Sequence, residues 1–315
     1  MMFFKKRKYK KIVEQAKQAF HEGNLRESAK LYEMAFSIKI FIPDFIMYGY
    51  ILIDLEEYTK AEKIFTDMSE DFDFTEINYA LANIYERTNR KKQAIERYEK
   101  VVFSAPEFEQ AHFSLAYIYD DMSEEEDCSF EDELIQKAIK HYQESIKLND
   151  KNFWSYINLG SIYERYNYND LALENFKKAY ELDKEKEMVC YNLGVAYYKL
   201  KEYDNSLKYY LEELQKENPF KSTYYNLGIL YKDGFKDYEK SKYYYLKGLE
   251  INNEDYNIWY NLGCIHALLK DYENAFSCFK YIYYKNKKYL NYLETDKELD
   301  EFRKTEYYLS LKKGL

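Results

Sequence analysis

The sequence predicts an all-α protein, an α-α superhelical solenoid of about eight helix-turn-helix repeats followed by a C-terminal capping helix. The motif Asn-Leu-Gly-x-x-Tyr begins at Asn158, Asn192 and Asn226, and it returns at Asn261 with His266 in place of the tyrosine. The four motif glycines are 34, 34 and 35 residues apart, a period typical of stacked helical hairpins. The chain has only 3 proline and 9 glycine residues among 315, too few for a β-rich or linker-rich protein.

The second half of the chain keeps the pattern most closely. If the motif glycine is position 8, small residues at positions 8 and 20 allow the two helices of a hairpin to approach each other. Aromatic residues at positions 11 and 24 fill the space beside them. The third of these repeats holds one extra turn residue around Lys232-Asp233-Gly234-Phe235. The four well-matched repeats are 153–186, 187–220, 221–255 and 256–289.

The first half holds more degenerate repeats, which follow a basic segment at residues 1–8. We expect this segment to be a hydrated, flexible start to the first helix. An acidic insertion at residues 120–133, with nine carboxylates in fourteen residues, delays the second helix of the fourth repeat. We interpret this insertion as a solvated turn; a docking loop for a basic partner and a weak divalent-cation site are the alternatives. These repeats are 9–41, 42–74, 75–108 and 109–152.

Eight such repeats in phase resemble the tetratricopeptide repeat family over residues 9–289. The tail sequence Asp296-x-x-Leu299-x-x-Phe302-Arg303 is similar to the segment that closes many bacterial tetratricopeptide arrays, with Phe302 in place of a leucine. The resemblance implies a capping role for residues 290–315. A terminal repeat would otherwise expose one apolar face to water.

Helical geometry places positions 2, 6, 9 and 13 of the first helix opposite the face that packs on the second helix. In the family this face lines a concave groove. Position 6 holds Asn158, Asn192, Asn226 and Asn261, and an amide that donates and accepts could hold an extended peptide backbone. Two alternative interpretations stay open: asparagine is a common solvated residue at this position, and the aromatic residues beside it pack between repeats. The further groove candidates are Trp154, Arg165, Tyr191, Lys199, Tyr225 and Tyr260.

Other classes of function lack support in the sequence. A net charge of −9 argues against nucleic acid as the partner. No catalytic motif is present, the four histidines are scattered, and Cys264-x-His266 offers only two metal ligands. We therefore expect no enzyme activity, no catalytic residues, no cofactor and no metal.

The cysteines lack CxxC spacing, and neither a signal peptide nor an apolar run of membrane-spanning length is found. We expect a cytoplasmic protein with reduced thiols and no membrane partner.

The sequence thus predicts a non-enzymatic interaction scaffold or adaptor, which binds an extended or helical segment of another protein in its groove. A second hypothesis is a structural or self-associating protein, whose groove is filled by its own C-terminus or by another copy in a homo-oligomer.

Overall fold

The computed structural model describes residues 2–71, 74–285 and 289–313, and all regular secondary structure in these ranges is helical. The chain forms two compact units, Met1–Ser155 and Tyr156–Leu315. In each unit, helices that are consecutive in the chain pack as neighbouring pairs. The predicted all-α repeat fold is therefore confirmed.

The first unit contains four helical pairs. Each pair joins two helices across a short turn, and the next pair follows after a short connection. The helices are α1 (Met2–His21), α2 (Leu25–Phe36), α3 (Ile42–Asp54), α4 (Tyr58–Asp71), α5 (Thr75–Arg87), α6 (Lys91–Ser104), α7 (Glu109–Glu125) and α8 (Glu133–Leu148). Residues 2–8, expected to be a flexible start, are the first two turns of α1.

The second unit continues the pattern, and α9 begins in the last residues of the first unit. Its helices are α9 (Phe153–Arg165), α10 (Asn169–Leu182), α11 (Val189–Lys199), α12 (Tyr203–Glu213), α13 (Ser222–Ile229), α14 (Tyr238–Ile251), α15 (Tyr256–Leu268), α16 (Tyr272–Lys285), α17 (Tyr289–Thr295) and α18 (Glu306–Lys313). Short 3-10 helices at Lys297–Leu299 and Phe302–Lys304 join α17 to α18.

The motif glycine lies where the two helices of a pair are closest. A methyl group added to Gly160 would lie 2.6 Å from the ring of Phe176, and one added to Gly263 would lie 2.5 Å from the ring of Phe279. Both rings are at position 24 and are fully buried. The aromatic ring therefore occupies the volume that a larger residue at position 8 would need.

A serine at position 20 adds a hydrogen bond to this contact. The hydroxyls of Ser206 and Ser241 donate to the carbonyl oxygens of Gly194 and Gly228, each over 2.7 Å. Ser28 donates in the same way to the carbonyl of Ala16, over 2.8 Å. Because these hydroxyls are buried, the bonds satisfy polar groups that water cannot reach.

The turn inside each hairpin uses one residue with positive φ. Gly23, Asn89 and Asn167 are suited to this conformation, but lysine occupies it at Lys201 and Lys270, with φ near +60°. A side chain with a Cβ is strained in the left-handed region. These two turns are therefore held by the helices that flank them.

Two irregular stretches differ from the expected turns. The first residues of the acidic insertion extend α7 to Glu125, where Lys91 pairs with Asp121 at 2.6 Å and with Glu125 at 2.8 Å. The extra residue near Gly234 is absorbed by a π-helical turn at Leu230–Phe235, directly after α13. Tyr245 thereby stays fully buried at position 24.

The C-terminal segment covers the apolar side of the last pair. Leu293, Leu299, Phe302 and Leu311 are buried in one cluster with residues of α15 and α16, such as Phe279. Arg303 ties the segment together by donating to the carbonyl oxygens of Leu293 (3.0 Å) and Asp296 (2.8 Å). The segment therefore caps the second unit, as a terminal repeat requires.

Candidate functional site

The sequence-predicted site lies mainly on the first helices of the second unit. We call the surface that carries the position-6 residues Asn158, Asn192, Asn226 and Asn261 the asparagine face. Asn192 is buried, and the other three are half-buried. Trp154 is 44% exposed and belongs to the end of the first unit.

The aromatic residues at position 5 pack within their own repeats. Each ring contacts the aromatic ring at position 24 of the same hairpin, with centroids 5.8 to 6.1 Å apart. These rings therefore contribute to the hairpin core. The pairs are Tyr79–Tyr98, Phe113–Tyr142, Tyr191–Tyr210, Tyr225–Tyr245 and Tyr260–Phe279.

The tyrosine hydroxyls at position 5 reach the asparagine of the following repeat. Tyr191 hydrogen-bonds Asn226, and the amide of Asn261 donates to the hydroxyl of Tyr225 over 3.4 Å. Burial raises the pKa of both tyrosines, although each asparagine bond opposes the change. These contacts form a tyrosine–asparagine ladder, and two of the four asparagines are engaged in it.

The ladder ends on the C-terminal segment. Tyr260 has no later repeat to contact, and its hydroxyl donates to Oδ2 of Asp296 over 2.7 Å. Asp296 is 35 residues after Asn261, the same spacing that separates Asn226 from Asn261. A carboxylate thus takes the place of the next asparagine.

Asn192 lies where the ladder is interrupted. Position 5 of the preceding repeat is Ile157, which has no hydroxyl to offer. Asn192 is 8% exposed, and no described residue hydrogen-bonds its side-chain amide. Its amide oxygen and nitrogen are not among the described polar atoms that are both shut off from water and without a partner, so water or a ligand can reach the amide.

The two cations predicted to line the groove have different surroundings. Lys199 forms an ion pair with Glu164 and donates to the Glu164 carbonyl over 3.0 Å. Arg165 lies over the ring of Tyr166, 5.5 Å from its centroid. The charge of Lys199 is therefore neutralised by Glu164.

Three residues whose side chains could serve as metal ligands lie close together near the C-terminal end of the chain. Ligand atoms of Cys264, Asp296 and Glu298 lie within 4.8 Å of one another. Burial and nearby Asp296 raise the pKa of the Cys264 thiol, which favours its protonated form. The ammonium of Lys232 lies 3.0 Å from Glu298 and supplies a counter-charge. The group therefore binds the C-terminal segment to α15 and the π-helical turn without needing a cation.

Comparison with known proteins agrees with this architecture. The family model of the tetratricopeptide repeat matches residues 75–107, 155–186, 189–212, 222–255 and 256–280. The chain belongs to the tetratricopeptide repeat family. The family supports a general role in protein interaction. No curated protein matches the chain.

Solved tetratricopeptide structures share the fold at low identity. A tetratricopeptide repeat protein from Parabacteroides merdae has a TM-score of 0.54 and 12% identity, covering 81% of this chain and 97% of its own. Pseudomonas aeruginosa pilF has a TM-score of 0.54 and 18% identity, with coverages of 67% and 91%. MamA has a TM-score of 0.50 and 22% identity, with coverages of 56% and 90%. These similarities concern the fold alone.

No helix in the described part of this tetratricopeptide protein has both the length and the apolar character that a membrane span requires. None of the four cysteines, all of which lie in the described ranges, forms a disulfide; Cys128 is half-buried and the others are buried.

Two histidines that the sequence left scattered meet inside one hairpin of the tetratricopeptide array. Nδ1 of His112 in α7 lies 2.9 Å from Nδ1 of His141 in α8. Nε2 of His112 lies 3.0 Å from the carbonyl oxygen of Pro106. Because that carbonyl can only accept, His112 carries its proton on Nε2 and accepts from His141. The acidic insertion obscured this pair, because it shifts His141 ten residues out of the repeat register.

Proposed function

We propose that the protein is a non-enzymatic adaptor whose asparagine face binds an extended segment of a partner protein. The observation that carries this proposal is that the side-chain amide of Asn192 has no hydrogen-bond partner among the described residues, although the residue as a whole is only 8% exposed. A carboxamide can accept from a peptide N–H and donate to a peptide carbonyl, so it recognises backbone with little regard for sequence.

Apolar side chains at positions 2 and 9 of these repeats would supply contact area for the side chains of such a segment. Met188 is 37% exposed at the start of α11, and Val195 and Ile229 are half-buried. Burial of apolar surface contributes about 25 cal/mol per Å². A binding segment would therefore combine one backbone contact with apolar side chains on either side.

The test is selection of peptides from a random library on the immobilised protein, followed by titration of the selected peptides against two variants. Asn192→Ala should weaken binding by about 1–3 kcal/mol, because a ligand hydrogen bond is lost. Asn261→Ala is the matched control, because Asn261 is already bonded to Tyr225. Equal effects of the two substitutions, or none from Asn192→Ala in a folded variant, would contradict the proposal.

A second candidate is self-association or occupation of the face by the C-terminal segment. The bonds from Tyr260 to Asp296 and from Lys232 to Glu298 favour it, because they fix that segment against part of the same face. Light scattering after size exclusion separates the candidates. A stable homodimer would favour self-association, and a monomer that binds selected peptides would favour the adaptor.

A further inference from the structure

The first unit holds a trough between α1 and the loop that precedes α3, far in sequence from the asparagine face. Its volume is about 680 Å³, within the range of about 300–1,000 Å³ common for ligand sites. Lys6, Lys10 and Lys17 of α1 line one side, and Ile38 and Lys39 of the loop line the other. We call this feature the α1 trough.

The walls of the α1 trough are held in place by a buried carboxylate. Tyr9 of α1 donates to Oδ2 of Asp44 in α3 over 2.7 Å. Lys17 of α1 pairs with Oδ1 of the same residue at 3.2 Å. Both Tyr9 and Asp44 are more than 90% buried. The trough is therefore preformed, which lowers the entropic cost of binding.

The floor and one edge of the α1 trough are apolar. Val13 is buried beneath it, and Ile38 is half-buried. Phe41, at the start of α3, is 50% exposed beside them. An exposed phenylalanine next to a preformed apolar floor offers an anchor site for one bulky side chain of a ligand.

The rim of the α1 trough is positive, although the whole chain carries a net charge of −9. Four lysines line it against two carboxylates, Glu14 and Asp44, and Asp44 is already bonded inside. Lys6, Lys10 and Lys39 are exposed, and none of the described side chains forms an ion pair with them. The local charge therefore complements an anionic ligand.

The spacing of the lysines favours a peptide over a single lipid headgroup. Lys6 and Lys17 are separated by eleven positions of α1, about 16 Å at 1.5 Å per residue. About five residues of extended chain cover this length. A headgroup would place its charge at one point, whereas carboxylates along a peptide can meet successive ammonium groups. We propose that the α1 trough binds an acidic peptide segment of a partner protein, anchored by an apolar side chain near Phe41.

The test uses a short fluorescein-labelled synthetic peptide in which glutamate and leucine alternate, titrated into the full chain by fluorescence anisotropy. The double variant Lys10→Glu/Lys39→Glu should bind this peptide at least about tenfold more weakly, because two attractive charges become repulsive. Lys8→Glu/Lys11→Glu is the matched control, because it changes the net charge equally on residues of α1 outside the trough. Phe41→Ala should also weaken binding severalfold, and Phe103→Ala, at an exposed phenylalanine of α6, should not.

Three results would overturn the proposal. The first is no saturable binding of the acidic peptide, or equal binding of its glutamine counterpart. The second is equal weakening by the two lysine pairs, which would indicate a general charge effect. The third is binding to phosphatidylserine vesicles that is lost in Lys10→Glu/Lys39→Glu while the peptide does not bind, which would assign the trough to lipid. None of these results depends on the asparagine face.

Discussion

The side-chain amide of Asn261 donates to the hydroxyl of Tyr225, which lies 36 residues earlier in the chain and 3.4 Å away. The same relationship joins Asn226 to Tyr191. At the end of the array, Tyr260 donates to Asp296 over 2.7 Å. Asn226 and Asn261 thus connect neighbouring hairpins, whereas Asn192, which follows Ile157, has no tyrosine hydroxyl at position 5 of the preceding repeat to contact.

The hydrogen bond from Tyr260 to Asp296 should be the strongest in the tyrosine–asparagine ladder, because its acceptor is a carboxylate. Tyr260→Phe is expected to lower the free energy of unfolding of the second unit by about 1–3 kcal/mol, since Asp296 loses a charge-assisted hydrogen bond. Urea denaturation followed by circular dichroism measures this. Tyr243→Phe, at a residue 54% exposed on α14, is the control and should change stability by less than about 0.5 kcal/mol.

The close approach of helices at the motif glycine leads to a second prediction. Gly160→Ala places a methyl group 2.6 Å from the ring of Phe176, so the ring or the helix must shift. Overpacking of this kind costs about 1–3 kcal/mol, and the midpoint of urea unfolding should fall accordingly. An unchanged or higher midpoint would show that the hairpin opens without strain.

The repeat period and the core positions could be predicted from the sequence, because each hairpin repeats the same local packing. Gly160 with Phe176, and Gly194 with Ser206, follow from spacing alone. The ladder could not be predicted, because it depends on the direction in which the Tyr225 side chain leaves its helix. The α1 trough could not be predicted either, since it requires the loop near Phe41 to pass beside α1.

Strain in the hairpin turns gives a third prediction, in which a substitution raises the stability of the protein. Lys201 has a φ of 62° between α11 and α12, a conformation that glycine adopts without penalty. Lys201→Gly should stabilise the protein by up to about 1 kcal/mol. Lys208→Gly, at an exposed position inside α12, should destabilise it by about 1 kcal/mol. Thermal unfolding of the two variants should therefore shift in opposite directions from the native chain.

The histidine pair should make the first unit sensitive to acid. Burial, followed by the nearby charges of His112, Lys140 and Lys137, lowers the pKa of His141 to about 4, although Glu144 opposes this. An unfolded histidine titrates near 6.5. The unfolded chain therefore binds a proton between pH 6.5 and 4 that the folded unit does not bind. Stability is retained above this range and is lost as the pH falls through it.

The loss should amount to about 1–2 kcal/mol, a value reduced because the ring is partly exposed to solvent. His141→Gln removes the titrating group and keeps an amide that can donate to His112. Urea unfolding of the native chain and this variant should be compared at pH 7 and pH 4.5, with His21→Gln as the control at an exposed histidine of α1. The native chain and His21→Gln should lose similar stability on acidification, and His141→Gln should lose less. If His141→Gln loses as much as the native chain, the acid sensitivity arises at another group.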